Sequence, residues 1–224
     1  MDWSPIWISL RTASISIFVT FFAGILVAWG VISRRREGTK MFWDGVLTLP
    51  LVLPPTVVGF FLLYLFGVKR PLGRLFLDLF GVKIAFSWIA TVLAAVVVSF
   101  PLMYRSARGA FEQVDENLVD AARTLGMSEW TIFRKVILAN AVPGVVSGGV
   151  LAFARGLGEF GATAMIAGNI AGKTRTLPMA VYSEVAAGNM EKAYGYVAIV
   201  VVIAFVSVMA MNWIGVMEKK RKNR

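Results

Sequence analysis

The sequence contains no cysteine and no histidine. Disulfide bonds and thiol catalysis are therefore excluded, and the commonest transition-metal sites lack their usual ligands. The sequence also lacks a Gly-x-x-x-x-Gly-Lys-Ser/Thr segment, so the chain does not bind ATP through a P-loop. Paired catalytic carboxylates are not visible either. Together these absences argue against an enzyme.

Charged residues are scarce as well. They make up 16% of the 224 residues, whereas 58% are hydrophobic, a balance typical of an integral membrane protein. The formal net charge of +10 raises the question of nucleic acid binding. However, the basic residues are scattered over loops between hydrophobic segments. This distribution favours a role in membrane orientation and predicts no nucleic acid partner.

Five apolar runs are long enough to cross a bilayer. They predict an all-α membrane protein of one domain, 1–224, with spans at about 12–33, 45–68, 84–104, 143–170 and 193–217. The segment before the first run contains Asp2 and Arg11 rather than a basic cluster, and no small-residue cleavage site follows it. We therefore interpret the first run as a retained span and not as a signal peptide.

The distribution of lysine and arginine predicts the orientation of these spans. The 34–40 loop, the 105–140 segment and the 219–224 tail together carry twice as many basic residues as the loops on the other side. The richer side should be cytoplasmic. Five spans then leave the N-terminus outside and the C-terminus in the cytoplasm. Arg34, Arg35 and Arg36, like the tail, serve in this interpretation as orientation signals at the anionic inner leaflet.

The longest polar stretch, 115–142, predicts two short helices joined by a turn, which we call the finger. Asp115 is placed to cap the first helix and Ser128 the second, whereas Gly126 is suited to a left-handed turn between them. Apolar residues recur at helical spacing in both helices. The first face comprises Leu118, Ala121, Ala122 and Leu125, and the second Trp130, Phe133, Val136 and Ile137. Such a finger suits a soluble partner that pushes on a membrane domain; the alternative is an amphipathic surface helix with no partner.

Prolines mark the second predicted span. Pro50, Pro54 and Pro55 follow closely on one another, and each removes a backbone hydrogen bond from a helix. They predict a broken or re-entrant start to the span. Irregular backbone at membrane depth is tolerated where it lines a cavity, so a transport path is one interpretation, and a packing kink is the other.

Two charges interrupt the fourth predicted span. Arg155 and Glu159 lie at helical spacing, which predicts that they share a helix face directed to the bundle interior or a water-filled path. Either they steer an anion, or they form a structural ion pair. Thr56, Thr163 and Thr174 could donate hydrogen bonds to an oxyanion, or they could bond to the backbone. The glycines of 156–161 favour close helix packing over a nucleotide loop, since no lysine follows them.

The finger resembles the cytoplasmic loop of bacterial ABC importer permeases, whose pattern is E-A-A, three residues, G, nine residues, then I-x-L-P. Its counterparts here are Asp120, Ala121, Ala122, Gly126, Val136, Leu138 and Ala139. The aspartate, the valine and Ala139 depart from the pattern, and Ala139 stands where the family prefers proline. The resemblance implies coupling helices that dock on an ATPase, with Asp120, Ala121, Ala122, Gly126 and Leu138 as the coupling residues.

Three further strings are similar to molybdate permeases, namely LPLVLPP at 49–55, FARGLGEFGAT at 153–163 and NIAGKTRTLPMAVY at 169–182. The resemblance implies the type I ABC importer permease fold, in the inner membrane of a prokaryote. It also implies a permease homodimer, two ATPase subunits that bind ATP and Mg²⁺, and a periplasmic or lipid-anchored molybdate-binding protein. No cofactor is expected in this chain. Sulfate and tungstate remain alternative substrates, and a stand-alone secondary transporter is the alternative of a different class.

The same resemblance suggests where the anion passes and where the binding protein docks. The residues expected along the translocation path are Pro54, Pro55, Arg155, Glu159 and Thr163. Lys173 and Arg175 lie in the outer loop after the fourth predicted span, where they would contact either the binding protein or lipid headgroups.

Overall fold

The computed structural model describes residues 2–34 and 36–222, with side chains up to residue 213. The predictions made for Arg35 and for the side chains of the 219–224 tail therefore lie outside the described residues. The helices are α1 (Ser4–Ile32), α2 (Glu37–Val52), α3 (Pro55–Phe66), α4 (Pro71–Phe80), α5 (Trp88–Glu112), α6 (Glu116–Thr124), α7 (Glu129–Ile132), a π-helical turn (Phe133–Ile137), α8 (Leu138–Leu157), α9 (Gly161–Ile166), α10 (Leu177–Ala186) and α11 (Met190–Lys222).

Within the described residues, four helical segments are long and apolar enough to cross a membrane. They are Ser4–Ile32, Trp88–Glu112, Glu129–Leu157 and Met190–Trp213. The pair α2 and α3 makes a fifth if it counts as one span, although its halves meet at 108°. The fourth predicted span, about 143–170, differs in its bounds: its helix starts earlier and ends at Leu157, near the two charges that interrupt it.

The main core lies where α1, α5 and α8 pack together, and small residues let these helices approach closely. A Cβ atom at Gly24 of α1 would lie 2.6 Å from the side chain of Met103 on α5. Gly148 of α8 lies against Ser106 of α5 in the same manner. Close backbone approach increases dispersion contact. This contact stabilises helix packing in lipid, where no hydrophobic driving force draws the helices together.

A second, smaller core joins α3 and α9 to α5. A Cβ atom at Gly59 of α3 would lie 2.7 Å from the backbone of Ala162 on α9. A Cβ atom at Gly161 would lie 2.9 Å from the Cβ of Pro55, at the start of α3. Two short helices, α3 and α9, each of which follows an interruption of a helical segment, therefore pack directly on each other.

The two ends of the bundle are distinguished by what packs there. At one end, Tyr196 of α11 donates a hydrogen bond to the carbonyl of Asp2 (2.7 Å), and Ser9 of α1 accepts the backbone N–H of Leu177 (2.7 Å). At the other end, the ring of Trp29 on α1 stacks on that of Phe133 at 4.7 Å. The finger and the N-terminal segment thus lie at opposite ends of α1.

Candidate functional site: the finger and the two broken helices

The backbone of the finger follows the predicted caps. Asp115 Oδ1 accepts the N–H of Asn117 at 2.9 Å, and Ser128 Oγ accepts that of Thr131 at 3.3 Å. Gly126 has a φ of 74°, in the left-handed region that glycine adopts at little cost. The predicted helix–turn–helix is therefore confirmed, with α6 before the glycine and α7 after it.

Arg123 forms two ion pairs, one within α6 and one across the glycine turn. Arg123 Nη1 lies 3.1 Å from Asp120 Oδ1, and Arg123 Nε lies 2.9 Å from Glu129 Oε1. The hydrogen bond that Arg123 donates to Glu129, followed by the one it donates to Asp120, raises the pKa of Arg123 above its usual value. All three side chains are exposed, so the pairs add little stability, but the pair between Arg123 and Glu129 favours one angle between α6 and α7.

The finger is seated on α1 by aromatic contacts. Phe133 is buried against Trp29, and the ring of Trp130 lies 5.6 Å from that of Phe133. Ile132 is also fully buried. The finger thus packs on the end of α1, a contact that no local sequence signal predicted.

The five predicted coupling residues divide into two groups. Asp120, Ala121 and Gly126 are exposed on the finger. Ala122 is 5% exposed and Leu138 packs against the main core, so both face the protein's own interior. Of the four apolar residues at helical spacing along α6 and its C-cap, only Ala122 is buried.

Exposed apolar side chains on the finger were missed as candidate contacts. Leu118 is 49% exposed, Leu125 81% and Trp130 51%. The sequence contained a signal for them, since leucine and tryptophan inside the most polar stretch of the chain are out of place unless something covers them.

A π-helical turn, Phe133–Ile137, connects the finger to α8. The second finger helix and the following span therefore form one continuous helical segment, Glu129–Leu157, rather than the separate elements that the sequence predicted. Ala139, where the family pattern prefers proline, lies within this segment. Because alanine keeps the backbone N–H that proline lacks, the helix passes through this position without a break.

The proline-rich segment breaks the second span as predicted. α2 ends at Val52, Pro54 is extended, and α3 starts at Pro55 in a new direction, 108° from that of α2. Pro50 is accommodated inside α2. Proline at the first position of α3 loses no helical hydrogen bond, because the first N–H groups of a helix have no intrahelical acceptor.

Arg155 and Glu159 interact, but not on one helix face. α8 ends at Leu157, so Glu159 lies beyond the helix, and the prediction of a shared helix face was wrong. The turn through Gly158 still brings the two side chains together, with Arg155 Nη1 at 2.7 Å from Glu159 Oε2. Glu159 Oε1 also accepts the backbone N–H of Ala162 at 2.7 Å. The carboxylate thus stabilises the non-helical turn between α8 and α9.

The two partners of this pair differ in accessibility. The side chain of Glu159 is 2% exposed and that of Arg155 30%. The carboxylate is buried and bonded on both oxygens, whereas the guanidinium remains partly accessible. Arg155 is therefore the more accessible member of the pair, and its place on an anion path stays a prediction.

The structure brings most of the predicted path residues together. Pro55 lies against Gly161, next to Glu159, because α3 packs on α9. Thr163 is 1% exposed on α9, and Thr56 is exposed. Thr174 accepts the N–H of Ile170 at 3.0 Å and donates to the carbonyl of Gly168 at 3.3 Å, the backbone-bonded alternative considered for the threonines.

Lys173 and Arg175 lie in the loop between α9 and α10. Lys173 is exposed, whereas Arg175 is half-buried and donates from Nε to Asn169 Oδ1 at 2.8 Å. The pKa of Asp2 is lowered by its hydrogen bonds with Ser4, and the positive charge of Arg175 adds to this effect. Arg175 is therefore engaged within its own chain, and Lys173 is the more accessible of the two.

Comparison with known proteins decides the family. Residues 20–223 match the family described as binding-protein-dependent transport system inner membrane component. The chain belongs to this family. It is 41% identical to the molybdenum transport system permease protein ModB of Escherichia coli K12, over 100% of this chain and 97% of that protein. It is 38% identical to ModB of Haemophilus influenzae, over 99% and 96%.

A solved structure shows the fold of such inner membrane components. A chain of the MetNI methionine ABC transporter, in inward-facing conformations, superposes with a TM-score of 0.68 at 19% identity, covering 94% of each chain. The expected type I importer permease fold is therefore confirmed. As an inner membrane component, the chain is a transport subunit rather than an enzyme, and it works with a substrate-binding protein and a separate ATPase.

Proposed function

We propose that this chain is the permease subunit of an ATP-driven importer for molybdate. The observation that carries the proposal is the similarity along nearly the whole chain to permeases named for molybdenum transport. The expected absence of ATP binding in this chain agrees with a division of labour in which ATP and Mg²⁺ bind the ATPase.

The finger is the proposed docking surface for the ATPase. Asp120, Ala121 and Gly126 are exposed there, and the apolar side chains of Leu118 and Leu125 surround them. Burial of these leucines would provide the apolar contribution to binding, whereas the salt-bridged Arg123 holds the two short helices at the docking angle. Two permeases would present two such fingers to two ATPase subunits.

The proposed translocation path runs beside two interruptions of helical structure, one between α2 and α3 and the other between α8 and α9. Arg155 provides positive potential for an oxyanion, and the paired Glu159 stabilises the turn between α8 and α9. A single partly neutralised guanidinium favours passage over tight binding, as a path requires. Pro54 and Pro55 provide the bend across which the inner and outer halves of the second span can change their angle.

The proposed orientation puts the finger and the C-terminus in the cytoplasm and the N-terminus outside. The loop that contains Lys173 lies at the end of the bundle opposite the finger, and we assign it to contact with a periplasmic or lipid-anchored binding protein. Lys173 supplies the accessible positive charge. Arg175 supports the loop through Asn169.

Co-purification and uptake together test this function. The wild-type chain should co-purify with its ATPase subunit, and Gly126→Pro and Asp120→Lys should abolish that association. Asp78→Lys, the same reversal at an exposed position of α4, is the matched control and should retain the ATPase. Proteoliposomes that contain the full complex should then import radioactive molybdate. Recovery of folded permease without ATPase would favour a secondary transporter, and equal competition by sulfate would refute the choice of anion.

A further inference from the structure

A polar cluster outside the predicted sites joins α2 to α5. Arg108 Nη1 lies 2.6 Å from Asp44 Oδ1, and Arg108 Nε lies 2.7 Å from Glu112 Oε1. The hydroxyl of Tyr104 donates to the same Asp44 oxygen at 3.1 Å. Tyr104, Arg108 and Glu112 follow one another at helical spacing, so one face of α5 holds all three.

This cluster is more sheltered than the other ion pairs near the finger. The side chains of Asp44 and Arg108 are 32% and 24% exposed, compared with 71% and 53% for Asp120 and Arg123. Tyr104 is fully buried and stacks on Phe100. Because shelter from solvent reduces screening, the Asp44–Arg108 pair resists separation more than an exposed pair does.

The remainder of α2 lies at the surface of the bundle. None of its residues, all of which the structure describes, is buried. A crevice of about 520 Å³ separates the start of α2 from the finger, and Lys40, Glu112 and Asp120 line it. The crevice separates the finger from the start of α2, whereas the polar contact through Asp44 ties the middle of α2 to α5.

Each end of this connection leads to a proposed functional element. Glu112 is the last residue of α5, just before the Asp115 cap of the finger, so movement of the finger is transmitted to this end of α5. At the far end of α2 lies the 108° bend, beyond which α3 is packed rigidly on α9 through Gly59. A pull on α2 is thus directed to the residues of the bend.

We propose that Asp44 and Arg108 form a clamp that transmits displacement of the finger to the bend at Pro54. They are positioning residues in this proposal, because each acts through the helix that carries the other. The inference depends on the proposed function, because it assigns a route between the ATPase docking surface and the translocation path. Without the clamp, the finger moves and α2 does not follow.

The test measures ATP hydrolysed per molybdate imported, in proteoliposomes that contain the full complex and its binding protein. Asp44→Asn and Arg108→Gln should each reduce uptake about tenfold, which is within the range typical of coupling between two sites. ATP hydrolysis should stay within about twofold of the wild type. Tyr104→Phe, which removes only a hydroxyl, should give an intermediate ratio. The exchange Asp44→Arg with Arg108→Asp should bring the ratio back toward that of the wild type.

Glu37→Gln is the matched control. Glu37 also lies on α2 and pairs with Lys40 at 2.7 Å, but its side chain is 85% exposed and it contacts no other helix through this pair. The control should leave the ratio unchanged. An unchanged ratio in both Asp44→Asn and Arg108→Gln would overturn the clamp, and so would uptake and hydrolysis that fall together with loss of assembled complex. A wild-type complex that hydrolyses ATP without importing molybdate would instead refute the proposed function itself.

Discussion

Glu159 Oε1 accepts the backbone N–H of Ala162 at 2.7 Å, while its other oxygen pairs with Arg155. One buried carboxylate thus bonds to a side chain near the end of α8 and to a backbone N–H at the start of α9. This arrangement stabilises an interruption of the helix inside the bundle, where an unpaired backbone N–H or an unpaired charge would be costly.

The first prediction concerns this pair. Glu159→Ala should lower the free energy of unfolding by ~3–5 kcal/mol, because it leaves Arg155 without its partner and Ala162 without an acceptor. Glu159→Gln, which retains one acceptor oxygen, should cost less. The double variant Arg155→Gln with Glu159→Gln should be more stable than the sum of the single changes implies. Thermal unfolding of the purified complex measures each value, and additive effects would contradict the coupling. Normal uptake by the double variant would remove Arg155 from the proposed path.

The second prediction concerns the contact between α3 and α9. Gly59→Ala should reduce stability by ~1–3 kcal/mol and impair uptake, because the added methyl group meets the backbone of Ala162 at 2.7 Å. Gly45→Ala on α2 is the control, since a Cβ atom there meets nothing within 4 Å. Equal thermal stability of the two variants would show that α3 can withdraw from α9 without cost.

The third prediction concerns the seat of the finger. Trp29→Ala removes the ring that stacks on Phe133, so the finger should lose its fixed position and retain less ATPase in co-purification. Trp7→Ala on the same helix is the control, because Trp7 is 70% exposed. Retention of the ATPase by both variants would mean that α7 is held without the tryptophan.

The fourth prediction concerns a buried hydroxyl. Thr176 is 4% exposed, and within the described part of the chain its Oγ1 has no hydrogen-bond partner. Thr176→Val should therefore be neutral or stabilising, because it removes a polar group whose burial is not compensated. Thr12→Val should instead lower stability by ~1–2 kcal/mol, since Thr12 Oγ1 bonds with Thr91 and accepts from Trp88. Thermal unfolding distinguishes the two, and a marked loss with Thr176→Val would indicate an unrecognised partner.

Local features of the finger were predictable because each depends on a few neighbouring residues. Asp115 and Ser128 cap their helices through groups two and three residues away, and Gly126 adopts its positive φ without help from distant parts of the chain. The break at Pro54 is of the same kind, since the missing N–H groups act within one helical turn. Apolar runs likewise predicted the spans, although not their ends.

Features that depend on contacts between distant segments were not predictable in this way. Helical spacing suggested one face for Arg155 and Glu159, but α8 ends first, where Gly161 and Ala162 pack against Pro55 and Gly59 of a different span. Periodicity also could not tell which alanine of α6 turns inward, because the core that receives Ala122 comes from other helices.

The amino-acid sequence by itself therefore determined that this protein is a helical membrane protein with a capped polar finger and a proline break, since bilayer length and local backbone chemistry dictate these features. The tertiary structure alone decided that Trp29 packs against the finger, that Glu159 stabilises the turn between α8 and α9, and that Asp44 pairs with Arg108. Those contacts join residues far apart in the chain, and only helix packing can bring such side chains within reach of each other.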